Sequence, residues 1–216
     1  MEEHKKIIEK IENISGQYSP ENVFTDWIQC CALSIQNACW MIKDKVWTYR
    51  EEQYRNTITK YGKNDRREFS NMLRMLGEAL EYDMTDILGD IYMRIGCSSA
   101  RTGQFFTPMH ICRCITDSIQ YDYYVEKGTI ELSEPSVGSG GMIIAVAKTI
   151  KENGGNYQKL LRVKAQDMDW RSVYMTYVQM SLLGIDAVVV QGNTLADEEY
   201  DWRRILYTPK RMGMLF

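Results

Sequence analysis

The sequence predicts an α/β chain: a helical bundle over residues 1–101, followed by a partial parallel sheet over 102–216. Three observations carry this reading. Up to residue 97 there is a single proline, Pro20, no Gly-Gly pair, and apolar residues recurring at helical three-to-four spacing. Beyond residue 128 the signals run strand, glycine loop, helix, strand, helix, strand, which is the pattern of parallel α/β units. At about 30 residues per βαβ unit, the stretch after Gly141 accommodates two more strands and a short tail that supplies a possible edge strand.

Pro20-Glu21 marks a first helical turn. Val23, Trp27, Cys30, Cys31, Ser34, Ala38 and Met41 then recur on one stripe, which Phe24, Ile28, Ile35 and Ile42 widen, so this helix is expected to be buried on most sides. Further helices are predicted over 49–60, over 65–82 with Phe69, Met72, Leu73, Leu76 and Leu80 on one face, and over 85–95 with Ile87, Leu88, Ile91, Tyr92 and Ile95. A strand is predicted at 129–132 and an apolar helix at 142–150, ended by Gly154-Gly155 where the backbone takes positive φ. A strand at 161–165, a helix at 172–183 closed by Gly184, and a valine-rich strand at 187–191 complete the series.

Hydrophobic residues make up 44% and charged ones 25%, proportions that exclude disordered and collagen-like classes. With 26 Lys and Arg against 29 Asp and Glu, no basic field announces nucleic acid, although a local patch still allows it. The longest uncharged stretch, 27–42, carries Gln29, Ser34, Gln36 and Asn37 and is too short and polar to span a bilayer. The opening MEEHKKIIEK lacks the apolar core of a signal peptide, so a soluble cytoplasmic protein with no membrane partner is expected. Six cysteines (Cys30-Cys31, Cys39, Cys97, Cys112-x-Cys114) follow neither zinc nor disulfide spacing, so reduced thiols and no metal site are expected.

The most informative local feature is the loop Glu134-Pro135-Ser136-Val137-Gly138-Ser139-Gly140-Gly141 between a strand and a helix. Glycines there let the backbone approach a ligand, and the helix N-terminus adds partial positive charge. A carboxylate closing the next strand can accept both ribose hydroxyls of a nucleoside. Asp167 holds that position, with Met168 beside it. An N-cap is the competing role for Asp167, but Asp169 suits that role better.

Gly103-Gln104-Phe105-Phe106-Thr107-Pro108 resembles the G-Q-F-[YF]-T-P segment that precedes the methyltransferase core in modification subunits of type I restriction systems, which are S-adenosylmethionine-dependent DNA adenine-N6 methyltransferases. Glu134-Pro135-x-x-Gly138-Ser139-Gly140-Gly141 is similar to their D-P-x-x-G-S-G-G loop. Asp167 matches their ribose-binding acid, and Gly192-Asn193-Thr194-Leu195 resembles their G-D-[ST]-L. The helix approaching the segment, from Asp86 to Ile95, is also similar. The matches keep the family's order over roughly residues 83–195. The resemblance implies a Rossmann-like domain with S-adenosylmethionine as cofactor. Gly103, Gln104, Phe105, Phe106, Thr107 and Pro108 would wrap its methionine end, and Glu134 would meet its amino group. Pro135, Gly138 and Gly140 would shape the loop beneath it, Asp167 with Met168 would hold the ribose, and Asn193 would border the adenine. Core packing is the competing role for Phe105 and Phe106, expected for at least one of them.

Two departures from the family stand out. Asn193 occupies the usual Asp position. The [DN]-P-P-[FY] tetrad, which holds the target amine and stacks on the flipped base, is absent, since the four prolines at 20, 108, 135 and 209 are nowhere adjacent. No catalytic residue is therefore assigned. The expected function is an S-adenosylmethionine-binding member of the family that does not methylate DNA alone. The alternatives are a non-catalytic, regulatory or anti-restriction mimic of a modification subunit and one half of a split active methyltransferase. DNA and restriction-modification subunits are the implied partners. With strands ordered 3-2-1, strand 1 is left with an open edge, which either residues 204–207 cover by folding back or a second chain covers, a homo-oligomer included. The basic tail with Arg203, Arg204, Lys210 and Arg211 around Trp202 and Tyr207 is expected to be solvated, and the stretch from Tyr207 to Pro209 to form a turn.

Overall fold

The computed structural model describes residues 2–96, 105–117, 128–196 and 201–214. Five helices come first: α1 (Glu2–Ile14), α2 (Pro20–Cys39), α3 (Lys45–Ile58), α4 (Lys63–Tyr82) and α5 (Ile87–Arg94). The N-terminal starts of α2, α3 and α5 are set by short polar side chains that accept from first-turn amides. Ser19 accepts from Asn22 N, Asp44 from Val46 N and Trp47 N, and Asp86 from Gly89 N. Asp44 explains why α3 begins at Lys45, earlier than the apolar spacing indicates.

α2 is buried along most of its surface, as its double stripe predicts. Trp27 and Phe24 are fully enclosed, and the Trp27 indole donates to the Phe69 carbonyl of α4 at 3.1 Å. One hydrophobic cluster runs without interruption from Ile7 and Trp27 through Tyr92 to Ile143, Val163, Val189 and Leu206. The helices and the sheet therefore share an interior across residues 101 and 102. Burial pushes the Cys30 thiol up to about 12, in keeping with a packing role. No helix among the described residues is long and apolar enough to cross a membrane.

A short helix, α6 (Met109–Thr116), leads to β1 (Ile130–Glu134), α7 (Gly141–Glu152), α8 (Tyr157–Leu160), β2 (Leu161–Asp167), α9 (Trp170–Leu182) and β3 (Asp186–Gln191). A 3-10 turn, Trp202–Arg204, precedes β4 (Ile205–Tyr207). The sheet order is β1-β2-β3-β4, with the first three strands parallel and β4 antiparallel to β3. Right-handed crossovers that step in one direction put α7 and α9 on the same face of the sheet. By register, Leu161, Val163 and Ala165 of β2 share one face with Ala187 and Val189 of β3 and Leu206 of β4, and all are buried. The opposite face carries Glu131, Ser133, Arg162 and Lys164, all exposed. Parallel sheets normally have both faces covered. The strict apolar-polar alternation of β1 and of the first half of β2 is what lets this face meet water.

The tail departs from the expectation of a solvated segment. Leu206 and Thr208 are buried, and Trp202 meets Tyr49 edge-on at 5.7 Å. Nor does the tail cover β1. Ile205–Tyr207 pairs with Val188–Val190, on the opposite edge of the sheet. The reason lies in the helices. Tyr207 N donates to Gln36 Oε1 at 2.7 Å, and the buried Arg50 guanidinium donates to the Ile205 carbonyl at 3.1 Å while lying over Trp40. The Thr208 hydroxyl donates to the Ile185 carbonyl and accepts from Ala187 N, closing the end of the strand. A turn does follow, from Pro209 onward. Among the described residues, no strand pairs with the outer edge of β1.

Gln36 is fully buried, and its amide joins α2 to β4 and to Met212. Gln36→Ala strands the Tyr207 amide and should lower stability in urea unfolding by about 1–3 kcal/mol. An unchanged midpoint would contradict this role for the tail.

Candidate cofactor site

The carboxyl ends of β1, β2 and β3 meet at one end of the sheet, the usual place for a ligand in an open parallel sheet. The loop after β1 turns on two glycines, Gly138 at φ 57° and Gly140 at φ 97°, both in the left-handed region that side chains disfavour. A Cβ on Gly138 would lie 2.8 Å from the Phe106 ring, and one on Gly140 would lie 3.2 Å from Met180. Glycine is therefore required twice over at Gly138, by backbone conformation and by the close approach of Phe106. Gly140 caps α7, whose N-terminus carries the partial positive charge of its first-turn amides.

Asp167 closes β2 and accepts from the loop. Its Oδ2 receives Gly138 N at 2.9 Å, and its Oδ1 receives Asp169 N at 2.9 Å. Burial pushes its carboxyl above the usual aspartate range, against the backbone hydrogen bonds that favour the charged form. Asp169 is the N-cap of α9, accepting from Arg171 N, so the capping role falls to Asp169 and not to Asp167. After β3, Asn193 Oδ1 accepts from Leu195 N at 3.0 Å, and the Thr194 hydroxyl donates to the Pro135 carbonyl at 2.6 Å. The Gln191 side chain donates to the Met168 carbonyl, and Gly192 N to the Asp167 carbonyl. The three strand ends are thus tied to one another by their own loops.

Glu134 is half-buried at the end of β1, where its carboxylate accepts from Ser136 N at 3.2 Å. Phe106 packs into the core against Tyr92, ring centroids 5.0 Å apart, whereas Phe105 is 67% exposed. Thr107 and Pro108 are exposed, and Pro108 begins α6, which lies along α7. Met168 and Leu195 are also exposed apolar side chains, at 65% and 96%. Phe105, Met168 and Leu195 therefore leave apolar surface uncovered near the loop. Gly103 and Gln104 lie outside the described residues. The structure brings Pro135, Gly138, Gly140, Asp167, Met168 and Asn193 to one end of the sheet, with Phe106 against the loop.

Sequence reading did not single out the residues behind the loop. The Ser139 hydroxyl donates to Asp86 Oδ2. Gln179 Nε2 donates to Asp86 Oδ1 at 2.9 Å and to the Ser139 carbonyl at 2.8 Å, while its Oε1 accepts from Ile87 N and Leu88 N. Thr176 donates to the Gly138 carbonyl. The one available signal was a glutamine on a helix that buries nearly all its faces. A cavity of about 910 Å³ lies between α1, α4, α5 and the segment after Phe105, lined by His4, Asp83, Asp86, Asp90, Phe106 and Thr107 among others. It touches neither Glu134, Asp167 nor Asn193. Among the described residues no cluster of His, Cys, Asp or Glu is arranged to hold a metal ion.

Gly138→Ala imposes a left-handed alanine, costing about 1–2 kcal/mol, and drives its methyl into Phe106. Chemical unfolding should show a loss of at least about 1 kcal/mol. A variant as stable as the wild type would mean that the loop takes another shape.

Comparison with known proteins identifies the fold and the family. The sequence profile of the N-6 DNA methylase family matches residues 83–210, well over half of the chain, and begins before α5, inside the helical block. No curated protein matches significantly. Among solved structures, a Listeria monocytogenes protein described as a class I S-adenosylmethionine-dependent methyltransferase superposes with a TM-score of 0.50 at 11% identity. The superposition covers 93% of this chain and 56% of that protein, so the chain spans little more than half the length of its structural relative. At that identity the likeness speaks for the fold, and the sequence match speaks for the family: the chain belongs to the N-6 DNA methylase family.

Proposed function

We propose that this chain binds S-adenosylmethionine at the carboxyl ends of β1, β2 and β3, as the cofactor-binding part of an adenine-N6 DNA methyltransferase of the type I modification-subunit kind. The observation that carries the proposal is the Gly138–Asp167 pairing. A glycine loop lies against a helix N-terminus, and beside it a carboxylate accepts Gly138 N on one oxygen and Asp169 N on the other, with Met168 N as a further backbone donor. A carboxylate has about four acceptor positions, so Asp167 keeps acceptor capacity for the ribose.

The residues fit the group. Asp167 holds the ribose, Glu134 takes the ammonium, and Asn193 offers an amide to the adenine. Met168 and Leu195 would provide apolar surface for the ring, and Phe105, Thr107 and Pro108 would lie toward the methionine end. When bound, the cofactor supplies an electrophilic methyl group on a sulfonium. The chain's own part is to orient that group and to screen its charge with Glu134 and Asp167.

Transfer to adenine needs an acceptor for the target amine and an aromatic face for the flipped base. Residues 1–216 contain no adjacent prolines and hence no [DN]-P-P-[FY] tetrad. Methylation of DNA is therefore proposed to require groups that residues 1–216 do not contain, of the kind that another restriction-modification subunit could supply. A second reading, a non-catalytic protein that engages such subunits, draws on the outer edge of β1, which has no strand partner among the described residues, since open strand edges recruit strands.

Calorimetric titration with S-adenosylmethionine should show saturable binding, weakened at least tenfold by Asp167→Ala. Absence of binding to the wild type would contradict the cofactor reading. Transfer of a labelled methyl group to adenine-containing DNA by the purified chain alone would contradict the catalytic half of the proposal.

The binding should also depend on pH. A proton on Asp167 removes an acceptor from the ribose, so affinity should fall as the pH drops through the raised Asp167 value, beginning above the ordinary aspartate value of about 3.9. For the free chain the sign is opposite. A carboxyl whose folded value lies above its unfolded one contributes stability that is fully present below the unfolded value and is lost as pH rises through the folded one. Affinity that stays flat down to about pH 4 would show that Asp167 does not hold the ligand.

A further inference from the structure

The loop's outer side meets the candidate ligand site, and its inner side rests on α5. Asp86 divides its two carboxylate oxygens between these neighbours. Oδ1 accepts from Gly89 N at 3.0 Å, which caps α5, and Oδ2 accepts from the Ser139 hydroxyl. Gln179 braces both, reaching Asp86 Oδ1 and the Ser139 carbonyl with one nitrogen. Ser139 and Gln179 are almost wholly buried. Space is tight: a Cβ on Gly89 would overlap the Asp86 carboxylate and the Ser139 hydroxyl, and one on Gly141 would sit 3.3 Å from Asp86 Oδ2. The two left-handed glycines, Gly138 and Gly140, flank Ser139.

A helix cap alone needs one acceptor oxygen, directed at its own first turn. Here the second oxygen, together with a buried glutamine from a helix 93 positions further along the chain, is directed at the loop. An unpartnered Ser139 would leave the flanking glycines free to take other conformations, which glycine adopts at little cost. Holding Ser139 holds both.

We propose that Asp86 is a positioning residue of the cofactor loop. Through Ser139, and braced by Gln179, it keeps Gly138 and Gly140 in the shape that presents the loop backbone to the methyl donor, so that part of the ligand affinity is set from the helical region. The proposal rests on the reading of this loop as the S-adenosylmethionine site. Asp86 touches the loop and not the ligand, so its effect is on affinity through pre-organisation.

The test measures S-adenosylmethionine affinity by calorimetry at 25 °C, beside thermal unfolding, for the wild type, Ser139→Ala, Asp86→Ala, Asp86→Asn and the double variant Asp86→Ala/Ser139→Ala. Ser139→Ala leaves the α5 cap intact and should still weaken binding about tenfold. Asp86→Ala should weaken it at least as much, and the double variant should be no weaker than Asp86→Ala alone, because both changes remove the same link. Asp86→Asn keeps the cap acceptor and can donate to the Ser139 oxygen, so it should bind more tightly than Asp86→Ala. Gln36→Ala, which loosens the tail far from the loop, should lose stability and keep wild-type affinity. Ser139→Ala and Asp86→Ala that are less stable yet bind as tightly as the wild type would overturn the proposal and leave the cofactor reading standing. A wild type that does not bind would overturn the cofactor reading, and the proposal with it.

Discussion

The contact between Asp86 and Ser139 joins the helical block to the one loop whose conformation matters for a ligand, and much of the architecture is arranged around it. Gln179 has two donors and two acceptor positions on its side-chain amide, and all four are used: Ile87 N and Leu88 N on the oxygen, Asp86 and the Ser139 carbonyl on the nitrogen. A buried polar network satisfied to that degree specifies one arrangement, because any shift of α5 against α9 leaves a donor or acceptor stranded. Around it the packing is continuous. α2 lies along α9, Trp27 reaches α4, and Tyr92 of α5 meets Phe106, which in turn abuts Gly138. The chain of contacts from the helical interior to the glycine loop has no gap.

The sheet that carries the loop is half of a doubly wound one. Its apolar face is covered by helices, whereas Glu131, Ser133, Arg162 and Lys164 leave the other face in water over β1 and β2. A helix laid on that face would have to bury three charged side chains, at a cost that apolar packing does not offset unless each is paired. The alternation therefore disfavours burying this face under an apolar helix. β1 remains the natural place for an additional strand, since its outer backbone groups have no strand partner among the described residues. A strand added there would bring its own terminus beside Glu134, at the end of the sheet where we propose that the ligand binds.

Elements that announce themselves locally were legible in the sequence. The second and third strands, read at 161–165 and 187–191, form at Leu161–Asp167 and Asp186–Gln191, since β2 alternates apolar and polar residues and β3 is a valine run between Gly184 and Gly192. The loop glycines were legible for a related reason: consecutive small residues between a strand and a helix have few other uses. Long-range partners were not. Nothing near Tyr207 shows that Gln36, 171 positions earlier, will accept its amide, so the tail reads as solvated with an edge strand only possible, whereas Ile205–Tyr207 forms an edge strand with Leu206 buried. Asp86 was legible only as the start of the helix that resembles the family's, and its bond to Ser139 depends on the placing of α5 by Gln179 and leaves no local mark.

The account makes the loop rigid before any ligand arrives, and amide hydrogen exchange measures this directly. In the free chain, the amides of Val137, Gly138 and Gly140, which donate to Gln166, Asp167 and Val137, should already exchange slowly. Adding S-adenosylmethionine should slow exchange further at residues 134–141, at 167–168 and at 192–195, with little change along the acidic cavity beside α1 and α4. A loop that exchanges as freely as exposed backbone until ligand is added, or protection that appears around that cavity and spares the three strand ends, would contradict the account.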